Sequence, residues 1–237
     1  MKSGTEYGRR VKRLYRKLRE AGPPPLPEKP TDPTTQLVLA LLGWATTPAD
    51  AARALRKLNR HMVDLNEVRV ATVREIAAAI GQIVPNSTEC ARSVSRSLND
   101  IFRRENRVSL DSLLEKGRRE ARQYLESLHG MIPYASASVL LWSLGAHAIP
   151  VSQRLLETLR AKGLVDPGAE PAEVQAFLER NIAAAEAREF CLTMERFADQ
   201  HAAQAALTAG GKTKKKRTKT AAARSAAGRP KKRSARR

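Results

Sequence analysis

A short turn between two helical segments carries the residues best suited to bind an anion. From Leu128 to Pro133 the chain reads LHGMIP, in which Gly130 can take a positive φ without steric cost and Pro133 favours the first turn of a helix. The N–H groups at such a helix start have no partner within the helix, and they suit a phosphate oxygen. The pattern predicts a helix, a tight turn and a second helix, with phosphate binding at the turn.

Other candidate reactive groups have no partner at a useful spacing. None of the four histidines shows the spacing of metal ligands, so we expect solvent-facing or hydrogen-bonded histidines and no metal site. Ser136 and Ser138 have no evident base, and they are interpreted as small residues for helix packing. Cys90 and Cys191 lie far apart in helical patterns, which predicts buried free thiols.

The elements that position this turn should all be helices. Alanine, leucine and arginine are abundant and aromatic residues make up only 4% of the chain, so local propensity favours helix. Helix starts are predicted at Asp32-Pro33, at Thr47-Pro48, at Thr72 with Glu75, and at Asn86 with Glu89. Residues 7–20 form a further helix, joined to the apolar helix after Pro33 by a stiff proline-rich link.

The second half of the chain continues the helical pattern. Residues 109–128 should form one helix entering the turn, and residues 133–144 a buried helix leaving it. The residues of the first helix expected to face inward are Leu110, Leu113, Leu114, Ala121, Leu125 and Leu128. Further helices are expected at 150–162 and at 171–207, the latter with a weak point near Asn181. We therefore predict an all-α protein.

The net charge of +19 is unevenly distributed. Residues 1–20 hold eight Lys/Arg and two Glu, and residues 211–237 hold thirteen Lys/Arg and no acid, so the middle of the chain is neutral. A neutral body with basic ends is typical of a protein held near a polyanion. The end of the chain, 208–237, is predicted to be a disordered DNA-binding tail; a solvated tail or a nuclear-type address is the alternative.

The tail residues expected to contact DNA are all cations in two basic runs. They are Lys212, Lys214, Lys215, Lys216, Arg217, Lys219, Arg229, Lys231, Lys232 and Arg233. Gly228-Arg229-Pro230 also resembles the core of an AT-hook.

The order of these segments resembles the endonuclease III-like (HhH-GPD) DNA glycosylases from about residue 9 to 206. The strings carrying the resemblance are KRLYRKLRE with DPTTQLVLALLGWATT, IGQIVPNSTECARSV, the turn with its flanking helices, and HAIPVSQRLL. The resemblance implies two helical domains, 34–145 and 1–33 with 146–207, and DNA crossing the cleft between them. It adds Gly130, Met131, Ile132 and Tyr134 as DNA-binding residues of the helix-hairpin-helix.

The departures from the family pattern fall on its chemistry. The lysine that attacks the sugar in bifunctional members corresponds to Tyr134, which cannot form a Schiff base. The aspartate that stabilises a cationic sugar corresponds to Ser152. No acid lies between Glu126 and Glu157, so we expect a catalytic centre without a carboxylate and no confident catalytic residue.

Other family features are changed as well. With only Cys191 in the matching segment, a four-thiolate iron–sulfur cluster is impossible, and no cofactor or metal is expected. Trp44 is expected in the core rather than as a wedge in the DNA stack. Ile132 replaces a glycine of the hairpin and resists a positive φ, which predicts a different turn.

The sequence thus predicts a catalytically impaired, double-stranded-DNA-binding protein connected to base-excision repair. An active monofunctional DNA glycosylase without lyase activity is the first alternative, and a nucleoid-type architectural protein is the second. No membrane span, secretory signal or small-molecule cofactor is evident, which favours a cytoplasmic, nucleoid-associated protein. A monomer is favoured over an oligomer.

Overall fold

The computed structural model describes residues 4–204. Residues 4–198 belong to one compact unit, and residues 199–204, which are helical, are the described part of a second. The tail residues predicted to bind DNA lie outside the described residues. Within those residues there is no strand, so the predicted all-α class is confirmed.

The first unit is built from consecutive helices. They are α1 Gly4–Glu20, α2 Pro33–Gly43, α3 Pro48–His61, α4 Leu65–Val70, α5 Val73–Ile80, α6 Ser87–Glu105, α7 Arg118–Glu126, α8 Pro133–Trp142, α9 Gln153–Ala161, α10 Pro171–Asn181 and α11, which comprises residues 187–198. Single 3₁₀ turns occur at Gly81–Ile83, Asp111–Leu114 and Ala184–Glu186. No described helix has both the length and the apolar character needed to span a bilayer.

Helix α2 lies at the centre of the unit, as its nearly uniform apolar sequence predicts. Its N-cap Asp32 accepts a 2.7 Å hydrogen bond from the Thr35 N–H, and Pro33 occupies the first turn. Most of its residues are buried, and it packs chiefly against α3 and α8. Because α8 is the helix that leaves the hairpin, the central helix fixes the position of the hairpin directly.

Helix starts were predicted well where a capping residue was present. Thr72 and Glu75 form a complete capping box at α5, and the Thr47 hydroxyl caps α3. Helix α6 begins after Asn86 as expected, but the Asn86 side chain makes no capping hydrogen bond. Helix α4 was not predicted, because its six residues are too few to show helical periodicity.

The single helix predicted over residues 109–128 is wrong. The structure has a 3₁₀ turn at Asp111–Leu114 and starts α7 at Arg118, after Gly117 in an extended conformation. Leu114, predicted to face inward, is 59% exposed. The flexible Gly117 breaks the segment, so the helix that enters the hairpin has only nine residues.

Both cysteines are free thiols, but only Cys191 is fully buried. Cys90 is partly buried, and its Sγ donates to the Leu41 carbonyl. Burial raises the pKa of the Cys90 thiol to about 12. The thiol is therefore neutral near pH 7.

Candidate nucleic-acid interface and adjoining cavity

The hairpin consists of α7, the turn 127–132 and α8. Gly130 has a φ of +81°, as the sequence predicts, and the Met131 N–H closes the turn by donating to the Leu128 carbonyl at 3.2 Å. Ile132 is extended, with φ −121° and ψ 151°, so this turn needs no second glycine. The substitution of Ile132 for glycine is therefore accommodated without strain.

Gly130 lies directly against α6. A Cβ at this position would be 2.7 Å from the Ser93 carbonyl oxygen and 3.0 Å from the Arg96 Cβ. Real Cβ atoms do not approach a backbone oxygen this closely, and the positive φ adds a second constraint. Glycine is thus required both by the turn conformation and by the packing of the turn on α6.

Polar groups of α6 hold the same turn from one side. The Ser97 Oγ donates to the His129 carbonyl at 3.0 Å, and the His129 N–H donates to Asp100 Oδ2 at 3.0 Å. The guanidinium groups of Arg103 and Arg104 donate to the two oxygens of the same carboxylate at 3.1 Å and 2.7 Å. Asp100 therefore links the hairpin backbone to the cations of α6.

The Asp100 carboxylate is only 6% exposed, yet it is stabilised in its ionised form. Burial alone would raise its pKa, but hydrogen bonds from the His129 N–H and side chain, together with the charges of Arg104 and His129, hold the pKa of Asp100 below its ordinary value. This carboxylate gave no signal in the sequence, because it occurs as one of many polar residues on an arginine-rich helix.

A cationic cavity of about 370 Å³ opens beside the turn. Its lining includes Gly130, His129, Arg96 and Arg103, and both arginines are exposed. Within residues 4–204, the N–H groups of Gly130 and Ile132 have no hydrogen-bond partner. The arrangement combines unpaired backbone donors with guanidinium groups, which are two kinds of group that bind phosphate.

The four hairpin residues predicted to bind DNA do not share one role. Gly130 lines the cationic cavity and Ile132 starts α8 with an unpaired N–H, whereas the Met131 N–H is used within the turn. Tyr134 instead faces a second cavity, behind the hairpin.

This second cavity, of about 340 Å³, is assembled from distant parts of the chain. The linker before α2, α2 itself, α8 and α11 each contribute to its wall, and its lining includes Lys29, Gln36, Tyr134, Arg188 and Glu195. We call it the Tyr134 cavity. Its pocket size lies within the ~300–1,000 Å³ typical of small-ligand sites.

Tyr134 stands at one side of the Tyr134 cavity, against the end of α2. Its ring is tilted against Trp44, with centroids 5.7 Å apart, and its Oη would lie 3.7 Å from a Cβ at Gly43. Burial, followed by the charge of Glu195, raises the pKa of the Tyr134 hydroxyl. The hydroxyl therefore stays protonated at neutral pH.

Ser152 is buried and caps α9. Its Oγ accepts from the Leu155 N–H at 3.1 Å and donates to Glu195 Oε2 at 3.1 Å. The prediction that no carboxylate lies near this position is therefore wrong. Glu195 comes from α11, forty-three residues later in the chain, so the sequence around Ser152 does not contain it.

One signal for Glu195 was present in the sequence. Cys191, Met194 and Ala198 are buried on the inner face of α11, and Glu195 stands four residues after Cys191 and therefore on the same face. An acid on an apolar helix face is uncommon. It marks a position where the carboxylate is held by a specific partner.

Helix α11 is fixed to the rest of the unit at several points. Arg188 donates to the Leu141 carbonyl at the end of α8, and Glu189 pairs with Arg19 of α1 at 2.7 Å. Arg196 donates to the Gly22 carbonyl at the start of the proline-rich linker. The wall of the Tyr134 cavity that carries Glu195 is therefore tied to both α8 and the N-terminal segment.

Trp44 is only partly buried and is not part of the apolar core, contrary to the expectation from its surroundings. Its carbonyl accepts from the Gln153 N–H at 3.0 Å, next to Ser152. The residue thus joins the end of α2 to the start of α9.

Comparison with known proteins defines the fold. No protein-family model matches the sequence, and no curated protein matches it. Among solved structures, the chain is similar to an endonuclease III trapped as a covalent DNA intermediate, with a TM-score of 0.63 and 16% identity over 80% of this chain and 85% of that one.

Two further structures give the same result. A Clostridium acetobutylicum 8-oxoguanine glycosylase/lyase in complex with DNA has a TM-score of 0.61 and 12% identity over 83% of this chain and 70% of that one. An H. pylori 3-methyladenine DNA glycosylase bound to 1,N6-ethenoadenine has a TM-score of 0.59 and 15% identity over 84% and 98%. The chain therefore has the helix-hairpin-helix (HhH-GPD) fold of the endonuclease III-like DNA glycosylases.

Proposed function

We propose that this protein binds double-stranded DNA through the hairpin and the adjoining surface of α6, as a base-excision-repair protein without lyase chemistry. The observation that carries this proposal is the turn itself: Gly130, whose N–H is unpaired, lines a cavity with Arg96 and Arg103, and the preceding N–H, that of His129, donates to Asp100. Backbone N–H groups and guanidinium groups together bind a phosphate of the duplex without reading its sequence. The DNA complexes among the structurally similar glycosylases support this choice of ligand.

The lyase reaction is excluded from the proposal because the residue at the relevant position is Tyr134. A Schiff base needs an amine, and a phenol that stays protonated supplies neither an amine nor an anionic nucleophile. The proposed impairment therefore concerns covalent attack on the sugar.

The test is the salt dependence of duplex binding by the full chain and by Arg96→Gln. Arg96 is exposed and lines the cationic cavity. If it neutralises one phosphate, the substitution should weaken binding several-fold and reduce the slope of log K against log salt by about 0.9. Fluorescence anisotropy with a labelled duplex measures both quantities.

The matched control is Arg119→Gln. Arg119 is also exposed, but it lies at the opposite end of α7 from the turn. Its substitution should change the affinity and the slope much less. Equal effects of the two substitutions would show that binding depends on general charge and not on the hairpin.

A further inference from the structure

A cavity of about 530 Å³ lies between α1 and the end of α10. We call it the α1–α10 cavity, and it shares no lining residue with the hairpin or with the Tyr134 cavity. Its charged residues are Arg9, Lys12 and Arg180, all three of them exposed, and none of the described residues in its lining is an acid. A cavity charged in this way attracts anions.

Close packing of α1 on α10 brings these cations together. Gly8 is buried, and a Cβ there would overlap the Asn181 Oδ1. The Asn181 Nδ2 donates to the Phe177 carbonyl at 2.8 Å, which holds this side chain within α10. Arg9 follows Gly8 and Arg180 precedes Asn181, so the contact places cations of two distant segments around one cavity.

The positive charge of the cavity continues along the exposed face of α1. Val11 and Tyr15 are buried, and the opposite face of the helix carries cations at helical spacing. These exposed cations are Arg9, Lys12, Arg13, Arg16 and Lys17. Within residues 4–204 none of the five has an ion-pair partner, whereas Arg10 and Arg19 of the same helix pair with acids.

The excess of positive charge on α1 is not offset within the helix, which has seven Lys/Arg and two Glu. Ion pairs at helical spacing occur elsewhere in the unit. Arg53 pairs with Asp50 on α3 at 2.7 Å, and Arg104 pairs with Asp100 on α6 at the same distance. Like charges three or four residues apart repel and destabilise a helix. The unpaired row on α1 therefore indicates a site for an external anion.

We propose that the α1–α10 cavity and the exposed face of α1 form a second binding site for the phosphate backbone of duplex DNA. This inference rests on the proposed function, in which duplex DNA is the ligand, and it adds a contact outside the hairpin. The length of the row suits a polyanion. From Arg9 to Arg16 the helix rises by about 10 Å, and one strand of a duplex carries about three phosphates over that length. Only backbone charges are contacted, so binding at this site is independent of base sequence.

The first experiment compares duplex binding by the full chain and by the triple variant Arg9→Gln/Lys12→Gln/Arg180→Gln. The three side chains are exposed and make no ion pair in the described part of the chain, so their substitution leaves the packing intact. If each cation neutralises one phosphate, the slope of log K against log salt should fall by about 2.7, which is three times 0.9. The affinity at about 0.1 M salt should fall at least about ten-fold. Fluorescence anisotropy measures both quantities.

The matched control is Arg56→Gln/Arg60→Gln/Arg74→Gln, which removes the same charge from α3 and α5. These arginines are exposed, have no ion-pair partner within residues 4–204 and line none of the cavities described above. Their substitution should lower the slope by less than about 1. An equal fall in both triple variants would overturn the site, because binding would then follow total charge. Thermal unfolding establishes that both variants are folded.

Acetylation of lysines in the full chain, followed by mass spectrometry, locates the contact directly. A duplex should protect Lys12 from acetylation at least about five-fold, and it should protect Lys57, an exposed lysine of α3, less than about two-fold. Inorganic phosphate at the same ionic strength should protect neither lysine. Protection of Lys12 by inorganic phosphate to the same degree as by the duplex would overturn the assignment to DNA. Equal protection of the two lysines by the duplex would overturn the site as well.

Arg96→Gln separates this inference from the proposed function. If Arg96→Gln weakens duplex binding and the Arg9/Lys12/Arg180 variant does not, the second site is overturned and binding at the hairpin stands. If only the triple variant weakens binding, the proposed role of the hairpin fails and the second site stands. If both sites contact the duplex, the two losses in salt slope should add in the combined variant, since different phosphates are contacted.

Discussion

The turn 127–132 and the adjoining surface of α6 form what we call the hairpin face. It differs from the Tyr134 cavity in how far apart in the chain its residues lie. At the hairpin face, residues within one turn and one helix are joined by a buried carboxylate, backbone hydrogen bonds and arginines, all from residues 93–132. The Tyr134 cavity takes its wall from residues between Pro27 and Glu195, and Glu195 in that wall accepts a hydrogen bond from the buried Ser152 hydroxyl. The residues of the hairpin face lie within one stretch of the chain, whereas the Tyr134 cavity exists only once distant segments have packed together.

This difference has a consequence for the roles of the two regions. The hairpin face offers exposed arginines and unpaired N–H groups, which are suited to a phosphate backbone of any sequence. The Tyr134 cavity is instead lined mainly by apolar groups, with Lys29, Arg188 and Glu195 as its charged residues. We therefore expect substitutions at the hairpin face to change the affinity for duplex DNA more than substitutions in the Tyr134 cavity do.

Removing the tail should have the largest effect on duplex binding, and it should reveal how much of the affinity comes from the hairpin face. Truncation after Ala209 removes thirteen Lys/Arg, whose binding to DNA is electrostatic and independent of sequence. We expect duplex affinity at low salt to fall by about 100-fold or more, with a clearly shallower salt slope, so that the contribution of the hairpin face becomes visible. Equal salt slopes for the full-length and truncated chains would contradict a DNA-binding tail.

Gly130→Ala should break the hairpin face. The added Cβ would meet the Ser93 carbonyl oxygen at 2.7 Å, and the residue must also keep a positive φ. We expect the free energy of unfolding to fall by at least about 2 kcal/mol and duplex affinity to fall with it. Denaturant unfolding and anisotropy measure the two effects.

The control for Gly130→Ala is Gly117→Ala at the other end of α7. Gly117 has an ordinary φ of −61°, and a Cβ there would have no neighbour within 4 Å. Its substitution should leave both stability and affinity nearly unchanged. A similar loss in the two variants would mean that the close approach of Gly130 to α6 does not matter.

Asp100→Asn should loosen the hairpin face without creating a clash. The substitution removes the charge that accepts from the His129 N–H and from two arginines, and it should cost about 1–3 kcal/mol. Asp111→Asn, at an exposed aspartate, is the control and should have little effect.

The same carboxylate predicts a pH dependence. Because the pKa of Asp100 is lower in the folded protein than in the unfolded chain, its contribution is present above the unfolded value of about 4 and is lost as the pH falls through the folded value. Unfolding measured from pH 6 down to pH 3 should show a shallower loss of stability in Asp100→Asn than in the wild type. Parallel curves would contradict this assignment.

The last prediction concerns covalent chemistry, where we expect no product at all. Borohydride should trap no adduct between the chain and abasic DNA through the hairpin, since Tyr134 has no amine with which to form an imine. Gel electrophoresis after reduction measures the adduct. A trapped adduct that persisted in Tyr134→Phe would place an amine nucleophile elsewhere in the protein.

Sequence alone determined the elements whose signals are local. Capping residues fixed the starts of α2, α3 and α5, the uniform apolar character of α2 placed it in the centre, and Gly130 marked the turn. The order of these elements was sufficient to predict the glycosylase fold. Such features depend on neighbours a few residues away, so they can be recognised without knowing the tertiary contacts.

Only the tertiary structure decided which groups meet. The hydrogen bond between Ser152 and Glu195 spans forty-three residues, and the bond between Asp100 and the His129 N–H spans twenty-nine. Neither pair has a spacing that a helix or a turn would produce, because each pair joins separate elements that meet only through core packing. The carboxylate missing from the sequence around Ser152 is thus supplied by the fold, from a helix at the far end of the first unit.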